Sequence, residues 1–214
     1  MTDPVQIAPD WLRPLVVAAT AIRWDDWHRV PPVDGGRPAA VLVLFGHDEQ
    51  HGPDVLLIER SVHLREHAGQ PAFPGGKIEP DDDGPVEAAL REAVEETGLD
   101  PLGVTVLTTL PQLGIPRTGF AVTPVLSWWR TPSQVAPVDF AEVAAVVRVP
   151  VAELADPANR VQVASPSGYT GPAFAVRDML VWGFTAALLD RLLALGGWEQ
   201  PWDRSRVRGL PRVG

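Results

Sequence analysis

Residues 76–99 read GKIEPDDDGPVEAALREAVEETGL, and the fold follows from this stretch. Its second half carries the punctuation of a helix: Pro85 in the first turn, good helix formers through Thr97, and Gly98 as the C-terminal stop. Within it Glu92, Glu95 and Glu96 stand at i, i+3 and i+4, so three carboxylates are expected to converge on one face of one turn. Like charges at this spacing destabilise an isolated helix by about 0.2–0.5 kcal/mol per pair, and something positive is expected to offset them. Val86, Ala89, Leu90, Ala93 and Val94 form a small apolar face opposite, expected to pack while the acids look into a cleft. Glu-rich helix faces are usually just solvated. The Phe73-Pro74-Gly75-Gly76 turn ahead of the helix reverses that reading, because a small backbone admits a ligand and lets a carbonyl turn toward a metal. Carboxylate oxygens so placed suit Mg²⁺, which keeps waters and joins one or two carboxylates to substrate phosphate oxygens. A phosphorylated substrate follows.

Working outward, AAVLVLFG (39–46) and VLLIERS (55–61) are apolar runs separated by the turn residues HDEQHGPD, which predicts a hairpin. Further strands are predicted in VTVLTTLPQL (104–113), FAVTPVLSWW (120–129), AAVVRVP (144–150), RVQVAS (160–165) and AFAV (173–176). A last helix is predicted near Leu180–Leu195, with Met179, Leu180, Trp182, Gly183, Ala186, Ala187, Leu189, Leu192 and Leu193 on or near its apolar face. Strands on both sides of a helix, with a helix at the end, predict an α/β fold: a mixed β-sheet sandwiched by helices. Upstream, DWLRPLVVAATA (10–21) predicts a short helix, and the Pro/Gly-rich PPVDGGRP (31–38) ends an extension packed on the main domain. Trp128, Trp129 and Trp182 are assigned to the core in preference to base stacking.

The 214 residues, 45% hydrophobic and 21% charged, are those of a globular chain, and Pro 23 and Gly 19 are scattered as turn punctuation, which excludes a fibrous or disordered one. One domain is expected, over 38–203, with an N-terminal extension (1–37) and a C-terminal tail (204–214). No apolar stretch reaches the ~20 residues of a membrane span. The start lacks a basic region followed by an apolar signal core, so the cytoplasm is the expected compartment. The absence of cysteine excludes disulfides, thiolate zinc sites and cysteine nucleophiles. A net charge of −9 argues against nucleic acid or an anionic membrane as partner, and leaves an anionic small molecule if a cation or an Arg cluster offsets the field.

Gly76 through Leu99 resembles the Nudix box, G-x5-E-x7-R-E-U-x-E-E-x-G-U with U apolar, and Arg91, Glu92, Ala93, Glu95, Glu96, Gly98 and Leu99 fall in register. Two departures stand out. The stretch from Gly76 to Arg91 is one residue longer than the pattern, and the first acid is an Asp, either Asp82 counted forward or Asp83 counted back. The resemblance implies the Nudix α/β/α sandwich and cleavage of a nucleoside diphosphate linked to a moiety X, by water attack on phosphorus with Mg²⁺ or Mn²⁺. It implies Glu92 and Glu96 as principal metal ligands, Glu95 in support, a backbone carbonyl of Gly75 or Gly76 nearby, and Arg91 orienting the carboxylates through a charge-assisted bond. The general base is open between Glu92 and Glu95 in the box and Glu142 in a later loop.

The segment before the box, LLIERSVHLREHAGQPAFPGG (56–76), resembles the LLTxRS-x3-R-x3-G-x3-FPGG motif of the coenzyme A diphosphatase subfamily, with Ile58 in place of its Thr. The longer box and its Asp also match that subfamily, and the resemblance extends over about residues 38–203. It implies substrate binding by Arg60, Arg65, His67, Gly69 and Phe73, and cleavage of coenzyme A or a derivative to 3′,5′-ADP and 4′-phosphopantetheine or its acyl form. Arg60, His63, Arg65 and His67 would place cationic or donor groups beside the metal, which suits a pyrophosphate with an additional 3′-phosphate. A diphosphatase for ADP-ribose, NADH or an oxidised nucleotide, and a non-catalytic binding module, are the rival readings. The family often dimerises, so a homodimer is the expected assembly if the chain is not a monomer.

Overall fold

Alternating side chains along residues 40–45 set the layers of the molecule. The computed structural model describes residues 3–22, 35–64, 68–115, 118–164 and 168–210. Among the described residues, α1 (Pro4–Ile7) and α2 (Arg13–Ala21) precede the first strand, β1 (Arg37–Asp48). On β1, Ala40, Leu42 and Leu44 point to one face and Val43 and Phe45 to the other, each at most 2% exposed. The hairpin is present: β2 (Gly52–Arg60) runs antiparallel to β1, with Phe45 opposite Val55 and Asp48 opposite Gly52. The remaining strands of this sheet are β3 (Pro71–Ala72), β4 (Gly75–Lys77), β5 (Val104–Thr109), β6 (Leu113–Ile115), β7 (Phe120–Trp129) and β8 (Val143–Pro150).

The sheet runs β3-β2-β1-β7-β5, with β4 also on β1, β6 on β7 and β8 on β2. The β1–β7 pair is parallel and the others are antiparallel, so the sheet is mixed. Because β7 occupies one edge of β1, the other edge is shared: β2 takes its end and β4 pairs with Ala39–Val41 at its start. Gly75 and Gly76 are thereby held against the sheet beneath α3 (Pro85–Thr97).

Helix α3 covers the Ala40, Leu42 and Leu44 face together with Leu56, Val125 and Trp129. Each fully buried Leu here contributes roughly 1.5–3 kcal/mol relative to exposure. The helix packs by the expected face, turned toward its small residues so that Val94 is left out. Ala88, Ala89, Ala93 and Thr97 are buried, Val86 and Leu90 are half-buried, and Val94 is 37% exposed. Alanines let the helix axis approach the sheet closely, which a Val and Leu face would prevent. That approach carries Glu92 and Glu96, one turn apart, down to Gly75–Gly76. Gly98 ends the helix in the left-handed region (φ 67°) and donates its N–H to the Val94 carbonyl at 2.9 Å.

The opposite face is covered by α2, by α5 (Gly183–Leu195), which follows α4 (Val151–Ala155), and by a second sheet, which completes an α/β/α arrangement. Leu15, Val16 and Ala19 of α2 lie in one core with Leu188, Leu189, Leu192 and Leu193 of α5. The second sheet has the order β11-β10-β9-β12, from β9 (Arg160–Ala164), β10 (Thr170–Val176), β11 (Met179–Val181) and β12 (Val207–Gly209). The last helix therefore starts later than expected: Met179 and Leu180 belong to β11 and Trp182 is the extended residue before α5. Arg177 and Asp178, with φ of 49° and 61°, form a two-residue turn that folds this segment back on β10 before the helix can begin. Trp129 is buried in the core as expected, whereas Trp182 is half-buried against the small cluster around Val161 and Val163.

Candidate active site

Two glycines decide how the acids of α3 meet the sheet. Gly75, at φ 153°, donates its N–H to Glu96 Oε2 at 2.9 Å. A Cβ on Gly75 would collide with the Ala40 carbonyl oxygen, and one on Gly76 would collide with the Glu92 carboxylate itself. Glu92 thus lies directly over Gly76 and Glu96 is bound to the neighbouring amide. Arg91 fixes the outer edge of this arrangement. Its Nε and Nη2 donate to the two oxygens of Asp82 at 2.9 and 3.0 Å, its Nη1 donates to Glu92 Oε1 at 3.2 Å, and its Nη2 also reaches the Lys77 carbonyl at 3.1 Å. The acid that braces Arg91 is Asp82, the residue counted forward from Gly76. Asp83 instead donates its backbone N–H to Glu87 in the first turn of the helix.

Burial sorts the acids. Glu96 is 7% exposed, and desolvation pushes its carboxyl up to about 7 against the pull of the Gly75 N–H and of Arg60, with Glu92 and Glu142 pushing the same way as burial. Glu92 is raised too, by desolvation first, with Arg91 opposing. The Asp82 carboxyl is lowered, chiefly by its bond to Arg91, and Arg91 is raised by the same bond. Glu95 is separate: its side chain is 59% exposed and its Oε2 sits 3.3 Å from Arg91 Nη1. The expectation of three convergent carboxylates is corrected accordingly. With about 100° between successive residues, Glu92 and Glu96 share a face, while Glu95 turns away from Glu96 and is held outward by Arg91.

Among the described residues no group of three His, Asp or Glu side chains is close enough to hold a metal ion unaided. The donor set still fits a hard divalent ion. Two carboxylates one turn apart, both raised by desolvation and both against glycine backbone, match a cation that takes one or two carboxylates and completes its shell with carbonyl oxygen, water and substrate.

Arg60 ends β2 at a bulge, where Glu59 faces Ala145 and Arg60 faces Val143. A bulge re-aims the side chain that follows it, and Arg60 Nη1 lies 3.8 Å from Glu96 Oε1. Glu142 is exposed in the turn before β8, and its backbone carbonyl accepts the Ser61 N–H at 2.8 Å. The β2–β8 pairing brings residues 60 and 142 to the same end of the sheet, as their assignment to one site requires. Gly69, at φ 65°, donates its N–H to the Arg60 carbonyl at 3.0 Å and so closes the loop after β2. Phe73, expected at the substrate surface, is 2% exposed in the core shared with α5, so it supports the Gly75–Gly76 turn from beneath. Arg65 and His67 lie outside the described residues.

Residues 36–166 match the family model described as the NUDIX domain. Similar curated proteins are the uncharacterized Nudix hydrolase NudL of Salmonella paratyphi B, 42% identical over 123 residues (55% of this chain and 59% of that protein), and that of Escherichia coli, 48% identical over 90 residues (42% and 45%). The chain thus spans less than two thirds of the length of these relatives. Among solved structures, the Nudix hydrolase RenU from M. smegmatis superposes with a TM-score of 0.55 at 24% identity, over 78% of this chain and 90% of that one, a likeness of fold.

Proposed function

We propose that this chain, which belongs to the Nudix family, is a metal-dependent hydrolase that cleaves the diphosphate of coenzyme A or a derivative into 3′,5′-ADP and 4′-phosphopantetheine or its acyl form. The observation that carries the reading is the meeting of the two sequence motifs in space. Arg60 of the LLIERS segment stands 3.8 Å from Glu96 of the box, so one guanidinium borders the proposed metal carboxylates where a diphosphate oxygen would lie. Glu92 and Glu96, with a backbone carbonyl of Gly75 or Gly76, would hold Mg²⁺ or Mn²⁺. That ion would supply Lewis-acid polarisation, neutralise the diphosphate and lower the pKa of water.

The chain's own groups do the rest. Asp82 holds Arg91 by two parallel bonds, and Arg91 in turn holds Glu92 over Gly76, which keeps the carboxylate oriented without occupying its second oxygen. Arg60 would bind a non-bridging phosphate oxygen. A carboxylate, Glu142 on the turn bonded to Ser61 or Glu95 beside Arg91, would take the proton as the water oxygen bonds to phosphorus and the bridging P–O bond breaks, with the phosphate ester leaving as an anion.

The test is hydrolysis of coenzyme A, dephospho-coenzyme A, ADP-ribose and NADH by the purified protein with Mg²⁺ or Mn²⁺, beside Glu96→Gln. Metal-dependent release of 3′,5′-ADP that the variant lacks is the expected result. Preferential turnover of ADP-ribose or NADH would replace coenzyme A as substrate. No metal-dependent turnover of any of the four would leave the chain a Nudix-fold binding module.

A further inference from the structure

Among the described residues, the main sheet ends on one side in an open strand edge. Asp54 and Val55 of β2 face β1 on one side and β8 on the other, and Ile58 and Glu59 likewise stand between β3 and β8, so β8 is the outermost strand here. At the far side of the sheet α1 and α2 pack against β5. β8 instead packs chiefly on β2 and on α4, which continues its own chain. Alternate residues of an edge strand turn their N–H and C=O outward. Among the described residues, none of these groups over residues 144–149 meets a hydrogen-bond partner outside the β2–β8 ladder.

Open edges are normally guarded by lysine, by an inward charge, by proline or by a bulge. On β8 the guards stand only at the ends: the bulge that leaves Ala144 out of register at its start, and Pro150 at its close. Between them Ala145, Val146, Val147, Arg148 and Val149 run in regular register with Glu59 to Val55. The one charge in this run is turned away from the edge, since Arg148 Nη2 donates to Asp54 Oδ2 of β2 at 2.6 Å and the guanidinium lies 5.1 Å from the centre of the Trp129 ring. Val146 and Val147 are half-buried, Val146 at the border of the core beneath α3 and Val147 at the border of the core on the opposite face. Both cores reach this edge and stop there.

A strand that completes this edge extends two cores at once, so it must be apolar on both of its faces. An amphipathic segment would set its polar face against one of the two valines. β8 itself meets the requirement. A two-fold axis through Val147, perpendicular to the sheet, runs two copies antiparallel and keeps α3 on the same side in both. It sets Val147 against its own copy, Val146 against Arg148 of the second copy and Ala145 against Val149 of the second copy. The whole regular run is then paired and no arginine faces its like, whereas an axis through Val146 would draw the bulged Ala144 into the ladder. We propose that the outer edge of β8 is the contact between two copies of this chain, paired antiparallel about Val147. The inference is independent of the diphosphatase reading.

The test is sedimentation velocity of the full chain over about 1–100 µM, the range of a small interface. Salt of about 0.15 M, with a screening length of about 8 Å, limits the repulsion between two chains of net charge −9. Monomer should give way to dimer as the concentration rises. V147K and V147E each bring like charges together on the axis and should weaken the dimer by about tenfold or more. An equimolar mixture of the two should restore it, because only a contact in which residue 147 meets itself sets the lysine of one chain against the glutamate of the other. Monomer at every concentration overturns the proposal, as does a dimer that neither substitution weakens, or a pair of weakened variants that fails to recover on mixing. Far-ultraviolet dichroism reports whether each variant folds. Should either unfold, hydrogen exchange of the wild type decides: the amides of residues 145–149 should gain protection as the concentration rises, and protection that stays constant overturns the pairing.

Discussion

Replacing Glu96 with Gln should stabilise the metal-free protein at alkaline pH. The carboxyl is 7% exposed and its pKa rises from an ordinary 4.5 to about 7, with desolvation as the leading cause. A raised folded-state pKa means that the folded protein holds a proton the unfolded chain has released. From this group, stability is greatest below about pH 4.5, falls as the pH climbs toward 7, and stays low above that. Two and a half pH units at 1.36 kcal/mol each set the full loss at about 3 kcal/mol. Gln removes the charge and keeps an oxygen for the Gly75 N–H, but its amide hydrogens need partners of their own at a cost of about 1 kcal/mol. The expected net gain is therefore roughly 2 kcal/mol at pH 8.5 and close to nothing at pH 4.5, where the native side chain is also neutral.

Urea unfolding in the presence of a chelator measures this, with wild type and variant compared at both pH values so that all other titrations cancel in the difference. Adding Mg²⁺ at pH 8.5 should reverse the order, because a cation stabilises only the protein that binds it. A stability difference that is the same at both pH values would refute the reasoning and show that burial of Glu96 costs the apo protein nothing.

Asp82→Asn should lower kcat/KM by roughly 10- to 100-fold, the usual cost of losing a group that orients a metal ligand, while Asp83→Asn leaves it nearly unchanged. Steady-state kinetics on the two variants separates the two candidate bracing acids. Gly76→Ala should cost activity on a similar scale, since its Cβ falls on the Glu92 carboxylate. Retained far-ultraviolet dichroism with lost metal binding by calorimetry is the expected pattern, and unaltered metal affinity would contradict the placement of Glu92. Leu44→Ala, at a fully buried position between β1 and α3, should destabilise the fold by about 2–5 kcal/mol in urea titration, with kcat of the surviving folded fraction preserved.

The limits of periodicity appear most clearly in α3. Its extent, from Pro85 to Gly98, is written in local chemistry, because caps and propensities act within one turn of the residues that carry them. Its orientation is not local. Counting apolar residues puts Val86, Ala89, Leu90, Ala93 and Val94 on the buried face, and the sheet buries Ala89 and Ala93 together with Ala88 while Val94 stays exposed, since small side chains allow the approach that brings Glu92 and Glu96 onto two glycines. The same distinction governs the site. The i, i+4 pair Glu92 and Glu96 was legible because helical geometry alone puts both on one side, whereas the acid that braces Arg91, Asp82 and not Asp83, is chosen by the loop from Gly76 to Gly84. Arg60 and Glu142 lie 82 residues apart in sequence, and only the bulged β2–β8 register makes them neighbours of Glu96. Even Phe73, which sits inside the motif that announces the site, is buried beneath it. A motif residue can therefore serve the chemistry from below, by packing the turn that aims Gly75 and Gly76, and only the side to which a strand presents it separates that role from contact with substrate.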